Sequence, residues 1–326
     1  MNIVVIGLGS MGKRRLRLLK KLDPTLVIFG VDNNESRRDV CSSEYGILTS
    51  SDLDDVLNKH SIDCAFVCTS PLSHSSIISQ CLENNLHVFT ELNLVPDGYV
   101  KNIALASKSN LVLFLSSTFL YREEIRAIRR FVWDARCSVN YVYHVGQYLP
   151  DWHPWEDYKD FFVNDKRSNG CREILAIELP WLTDVFGEVV EVEVMKSKMT
   201  SLRIDYDDNY MILLQHSTGH KGMLAADVVS RKAVRNLEIY GENIFLQWDG
   251  SPTGLRLFDY NKQQENQVSL YNDVDQRPEY SRFIVENAYM NEIIAFFEAV
   301  EGNARPIYDF EKDKVILQII DEIEAR

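Results

Sequence analysis

At 326 residues the chain is long for one core and points to two domains. Hydrophobic residues make up 45% and charged residues 25%, as in a globular protein, while a net charge of −13 argues against the basic surface that nucleic acid or an anionic membrane needs. No apolar stretch approaches the roughly 20 residues of a membrane helix, and the N-terminal run is too short and glycine-interrupted for a signal peptide.

The first element is an apolar, β-branched run, Met1 to Ile6, feeding into Gly7-x-Gly9-x-x-Gly12. Lys13 to Leu22 then shows helical spacing, with Leu16, Leu18, Leu19 and Leu22 as its apolar positions. Strand, glycine turn and helix in that order suit a dinucleotide pyrophosphate. Gly7 allows the tight turn, Gly9 lets the backbone approach the phosphates, and Gly12 lets helix pack on strand. The N–H groups of the first turn, Ser10 and Met11 included, point at the anion. Lys13, Arg14 and Arg15 oppose the helix dipole. A bound pyrophosphate would ease that conflict; a solvated basic face is the other reading.

A second apolar run, Leu26 to Val31, ends in Asp32, twenty positions after Gly12. A carboxylate there accepts hydrogen bonds from the adenosine ribose and repels the 2′-phosphate of NADP, which favours NAD. Arg37 and Arg38 partly offset the repulsion and keep NADP open. A short helix near Ser36, a helix over 51–59, and the continuous apolar run Ile62–Cys68 follow; that run reads as a strand buried on both faces. Helix 73–83, strand 86–90, helix 98–109 and strand 111–116 complete a βα alternation. Residues 1–120 are therefore expected to form a doubly wound parallel sheet.

After residue 120 the pattern changes. Helix 123–133 leads into alternating strands near 139–145, 191–196, 210–215, 221–229, 235–240, 243–248 and 254–258, separated by Gly, Asp and Asn turns. Short turns between alternating strands predict a large open antiparallel sheet in an α+β domain over 121–326. Helices near 288–301 and 310–325 close the chain, and the last one can pack back on the first domain. Its predicted apolar stripe is Val315, Ile316, Ile319, Ile320 and Ile323. Helices on one face of such a sheet leave the other face to cover, and a homo-oligomer is the simplest cover. The six cysteines (41, 64, 68, 81, 137, 171) include no Cys-x-x-Cys pair and read as free thiols of a reducing cytoplasm. His216 and His220 lack neighbouring ligands at metal spacing, so no metal is expected.

Taken in order, the glycine turn and Asp32, Cys68 to His74, Leu86 to Glu91, Leu111 to Arg130 and Arg235 to Gly241 resemble the Gfo/Idh/MocA oxidoreductase family over essentially the full length. The resemblance implies a Rossmann domain for NAD(P), a C-terminal α/β domain whose open sheet mediates oligomers, and redox chemistry at hydroxyl or keto carbons of sugars, inositols and nucleotide sugars. Thr69, Ser70 and Pro71 end a strand at its carboxyl edge, where doubly wound sheets bind ligands. His74 starts the next helix, within reach of the nicotinamide half. Glu91 closes the next strand, and a buried carboxylate there needs a partner, the nicotinamide ribose being one candidate.

Two departures from the family are visible. Glu91-Leu92-Asn93 stands where the family has Glu-Lys-Pro, so the lysine that meets the reacting hydroxyl is Leu92. Counting back from Phe186-Gly187, the family histidine falls on Ile177 and its aspartate on Pro180. A positioned acid or base is worth roughly 10²–10⁴ in rate, so replacements are expected among Glu178 first, then Tyr121, Arg172, Glu173 and His153. Three readings stay open: a sugar oxidoreductase with a rerouted proton relay, a nucleotide-binding sensor or partner subunit without turnover, and a reductase of another double bond protonated by water. The segment Gln147–Tyr158 holds two prolines, Trp152, Trp155 and Tyr158 among its aromatics, and the polar Asp151, His153 and Glu156. Aromatic faces stack on sugar rings; packing against the domain or a neighbouring subunit is the alternative. The segment is similar to a loop of family members from bacterial surface-sugar pathways, which implies a sugar-type substrate.

Overall fold

A computed structural model describes residues 1–152, 156–277 and 280–326. The β-branched first residues build β1 (Asn2–Ile6), whose last four residues are buried. Ten further elements follow in alternation: α1 (Ser10–Leu22), β2 (Val27–Val31), α2 (Glu35–Tyr45), β3 (Leu48–Ser50), α3 (Leu53–Lys59), β4 (Cys64–Val67), α4 (His74–Glu83), β5 (His87–Thr90), α5 (Tyr99–Ser109) and β6 (Leu113–Leu115). The strands form one six-stranded sheet in the order β3-β2-β1-β4-β5-β6, every pair parallel. The order reverses between β1 and β4, the switch point at which such sheets take their ligands. The expected doubly wound sheet is thus observed, with β3 as a short edge strand that no alternation announced.

The remaining elements are α6 (Glu123–Asp134), β7 (Val139–Gly146), α7 (Gly170–Phe186), β8 (Val189–Ser197), β9 (Asn209–His216), β10 (Lys221–Asp227), β11 (Val234–Gly241), β12 (Ile244–Trp248), β13 (Arg256–Asp259), β14 (Gln264–Gln267), α8 (Glu286–Val300) and α9 (Phe310–Ala325). Strands β7 to β14 form one sheet in the order β14-β13-β12-β11-β7-β10-β9-β8. It is mixed rather than wholly antiparallel, because β7 and β10 run parallel. A long crossover separates these two strands, which is what parallel pairing requires. Two compact units result: Met1–Ser117 with Tyr289–Lys314, and Thr118–Ala288 with Val315–Arg326.

In the first unit, Phe66, Phe89 and Phe114 sit opposite one another on β4, β5 and β6. Their rings stack at 4.8 and 5.2 Å, and Phe296 of α8 sets its edge against all three at 5.3–5.8 Å. In the second unit, α7 covers one face of the sheet. Phe186 stacks on Tyr141 at 4.3 Å, and Trp181 meets Tyr143 edge-on. The 52% exposure of Val315 removes it from the expected stripe of α9, which is formed by Ile316, Leu317, Ile320 and Ile323. All six cysteines are free thiols.

Candidate functional site

The glycine turn has the geometry its spacing predicts. Gly7 sits at φ +89°, and a Cβ there would lie 2.7 Å from the Cys68 carbonyl oxygen. A Cβ on Gly12 would lie 1.9 Å from the Gly7 carbonyl oxygen, so only glycine lets α1 approach the turn. At Gly9 the space is open apart from one guanidinium nitrogen of Arg37 at 3.8 Å. No side chain caps α1, and no acidic residue stands in its first turn. The N–H groups of exposed Ser10 and half-buried Met11 therefore meet an approach suited to an anion. These features fit a dinucleotide pyrophosphate.

The basic run behind the turn does something else. Arg15 is fully buried and forms ion pairs with Glu91 at 2.6 Å and Glu292 of α8 at 2.7 Å, with Ser116 joining the cluster. Arg14 is buried against the Tyr289 ring. Neither phosphate nor solvent neutralises Arg15; two carboxylates do. Burial holds the Glu292 carboxyl above its ordinary range despite that partner. The partner that a buried Glu91 needs is Arg15, bonded through both carboxylate oxygens. Glu292 could not be found from sequence, since it lies 277 positions from Arg15.

At the end of β2, Asp32 is buried. Its Oδ2 accepts from the Leu8 N–H at 2.7 Å and its Oδ1 from the Asn34 N–H at 2.8 Å. The carboxylate thus fastens the glycine turn to the β2–α2 turn and keeps a charge beside both. Arg38 donates to the Asp32 and Asn33 carbonyls.

At the ends of β4 and β5, Thr69 is half-buried, Ser70 exposed and Pro71 buried. The Ser73 hydroxyl donates to both the Thr69 Oγ1 and the Ser70 carbonyl. His74 is buried with both ring nitrogens engaged, Nδ1 at 2.8 Å from Asn93 Oδ1 and Nε2 at 3.0 Å from the Thr69 carbonyl. Burial lowers its pKa. In the structure His74 ties two strand-end loops together. Asn93, standing where the family has proline, supplies that tie.

In the second unit the expected proton-handling residues divide. Glu178, the first choice, is fully buried and accepts from Tyr143 Oη and Trp181 Nε1, each at 2.7 Å, and from Arg235. It is neither a surface charge nor a free base. Arg172 is paired with Asp321 at 2.7 Å and Glu324 at 2.5 Å. Tyr121 is buried. Glu173, in the first turn of α7, differs from all of these. Its Oε2 is buried with no hydrogen-bond partner among the described residues, and burial pushes its pKa up to about 8. A helix N-terminus alone would lower it, so desolvation wins.

The aromatic segment is partly structural. Trp152 donates to the Gln147 carbonyl at 3.0 Å, and its ring lies beside Gly170 at the start of α7. The Tyr158 hydroxyl accepts from the Arg203 N–H at 3.1 Å. His153 and Trp155 lie outside the described residues.

Comparison with known proteins adds an independent finding. Residues 1–116 match the Gfo/Idh/MocA profile, described as oxidoreductase family, NAD-binding Rossmann fold. A myo-inositol 2-dehydrogenase of Thermotoga maritima is 22% identical over 97% of this chain and 93% of its own length. Two solved structures share the fold end to end. One is an oxidoreductase from Agrobacterium radiobacter in complex with NAD+, L-tartaric acid and magnesium (TM-score 0.80, 12% identity, 100% and 96% of the two chains). The other is a UDP-N-acetylglucosamine 3-dehydrogenase from Acidithiobacillus ferrooxidans (TM-score 0.75, 15% identity, 100% and 97%).

Proposed function

We propose that the chain, whose residues 1–116 match the Gfo/Idh/MocA profile, moves hydride between a nicotinamide dinucleotide and a hydroxyl or keto carbon of a sugar-class molecule, with Glu173 holding the proton. The dinucleotide supplies or accepts the hydride. The glycine turn and the first turn of α1 would hold its pyrophosphate, with Asp32 fixing the turn on the adenosine side. Thr69 and Ser70 line the strand end on which the nicotinamide half would lie.

The observation that carries the proton step is the unpartnered Glu173 Oε2 with a pKa near 8. A carboxyl protonated at neutral pH gives a proton to a carbonyl oxygen as hydride reaches its carbon. Above about pH 8 the same group, ionised, takes the proton of an alcohol. Support for the substrate class comes from the inositol and nucleotide-sugar dehydrogenases among the relatives. Six free thiols suit a reducing cytoplasm, and a second copy of the chain suits the open face of the eight-stranded sheet.

One observation favours a second reading, a dinucleotide-binding sensor or partner subunit without turnover: Leu92 fills the lysine position, while Glu178 and Arg172 are spent in ion pairs. Calorimetric titration with NADH and with ADP-ribose separates the two. The redox reading expects NADH to bind clearly tighter, because the ring is gripped. Equal affinities transfer the assignment to the sensor, and no binding by either ligand removes both readings.

A further inference from the structure

The adenosine end of the site carries an arginine held by one long ion pair among the described residues. The Arg37 guanidinium hangs over the glycine turn, 3.8 Å from where a Gly9 Cβ would stand. Its only described partner is Asp32 Oδ2 at 3.9 Å, an ion pair at the limit of contact. Among the described residues its side chain makes no hydrogen bond, although a guanidinium presents five N–H donors. The side chain is 46% exposed, held over the turn yet open to a ligand. Arg38, by contrast, is spent on backbone carbonyls.

Asp32 is equally informative. The sequence pattern assigns it the role of repelling a 2′-phosphate. In the structure both of its oxygens accept backbone N–H groups and its side chain is only 5% exposed. Its charge is compensated locally, while the solvent-facing group at this corner is the cation. Arg37 and Arg38 both stand at this corner beside the inward carboxylate. Planar guanidinium donors suit a phosphate oxygen pair, and a charge-assisted bond of that kind is about twice as strong as a neutral one.

We propose that Arg37 makes this corner a 2′-phosphate acceptor, so that the chain binds NADP(H) at least as tightly as NAD(H). The proposal rests on the dinucleotide reading above and deepens it, assigning Arg37 as the residue that sets cofactor choice. Asp32 then acts as the clamp between two turns and not as a filter against NADP.

Calorimetric titration of the full chain with NADH and NADPH, for wild type, Arg37→Ala and Arg37→Lys, tests this without any turnover. Wild type is expected to hold NADPH no more weakly than NADH. Arg37→Ala should weaken NADPH about tenfold or more and NADH by less than about threefold, with Arg37→Lys between them. Wild-type preference for NADH overturns the proposal. So does an Arg37→Ala effect absent from NADPH, or equal for both ligands, since the contact would then fall on a part the two share. If wild type binds neither dinucleotide, the cofactor reading itself fails, an outcome distinct from all of these.

Discussion

Glu173 and Glu178 stand on one helix, and their surroundings give them opposite chemistry. Glu178 has three donors, one of them the cationic Arg235, so its carboxylate is fixed in place. Glu173 has an oxygen with no donor among the described residues and stays protonated well above the usual carboxylate range. Replacing Glu173 by Gln keeps the shape and removes the exchangeable proton. Steady-state reduction of a sugar-class ketone should then slow by about 10²–10⁴, with NADH affinity unchanged. Loss of affinity in place of rate would show a structural role. The same group leaves a mark on stability. Its proton leaves the unfolded chain near the ordinary value of 4.5 and the folded one near 8. Between those values the folded state binds the extra proton, so its stabilising effect, full at low pH, is lost as pH rises toward 8. Denaturant unfolding of Glu173→Gln should gain on wild type by about 1 kcal/mol or more between pH 5 and 8; parallel curves would remove the shift. At this scale the sequence showed that Glu91 needs a partner but not which one. Arg15 looked like one of three surface cations, and Glu292 is remote in the chain.

Helix α8 shows how an element far down the chain can belong to the first sheet. The three stacked phenylalanines of β4, β5 and β6 present a flat apolar row, and Phe296 closes it edge-on. Edge-to-face contacts add to the area that the ring buries. Phe296→Ala leaves a cavity at this seam and should cost about 3–5 kcal/mol in urea unfolding. A loss below about 1 kcal/mol would mean that α8 contributes little to this core. The α/β alternation of the first unit was legible because buried parallel strands read as unbroken apolar runs. β3 and β14 were not, one being three residues long and the other, Gln264–Gln267, wholly polar. The parallel pairing of β7 with β10 was hidden too, because alternation marks a half-buried strand without naming its neighbour or direction.

For the whole molecule the unresolved pressure is the open face of the eight-stranded sheet. Tyr210, Ile212 and Leu214 of β9 point to the covered face, and the residues between them point away. Leu213 pairs with Met223, which pairs with Val142, giving an apolar row across three strands. Met195 and Met211 add a second row, and these residues are 39–76% exposed. Around them lie Glu191, Glu193, Lys221 and Asn140, an apolar centre with a polar rim. A net charge of −13 acts against self-association, so the apolar face has to outweigh it. Soluble monomers rarely leave so contiguous a patch uncovered, and a twofold axis would cover it with itself. Light scattering should accordingly give a multiple of 37.7 kDa for wild type. Met223→Asp, placing a charge in the middle of the row, should shift that mass to 37.7 kDa with the circular dichroism of the folded chain retained. A wild type already monomeric would show that the face is left open to water or reserved for a different protein. An oligomer that survives Met223→Asp would place its interface elsewhere.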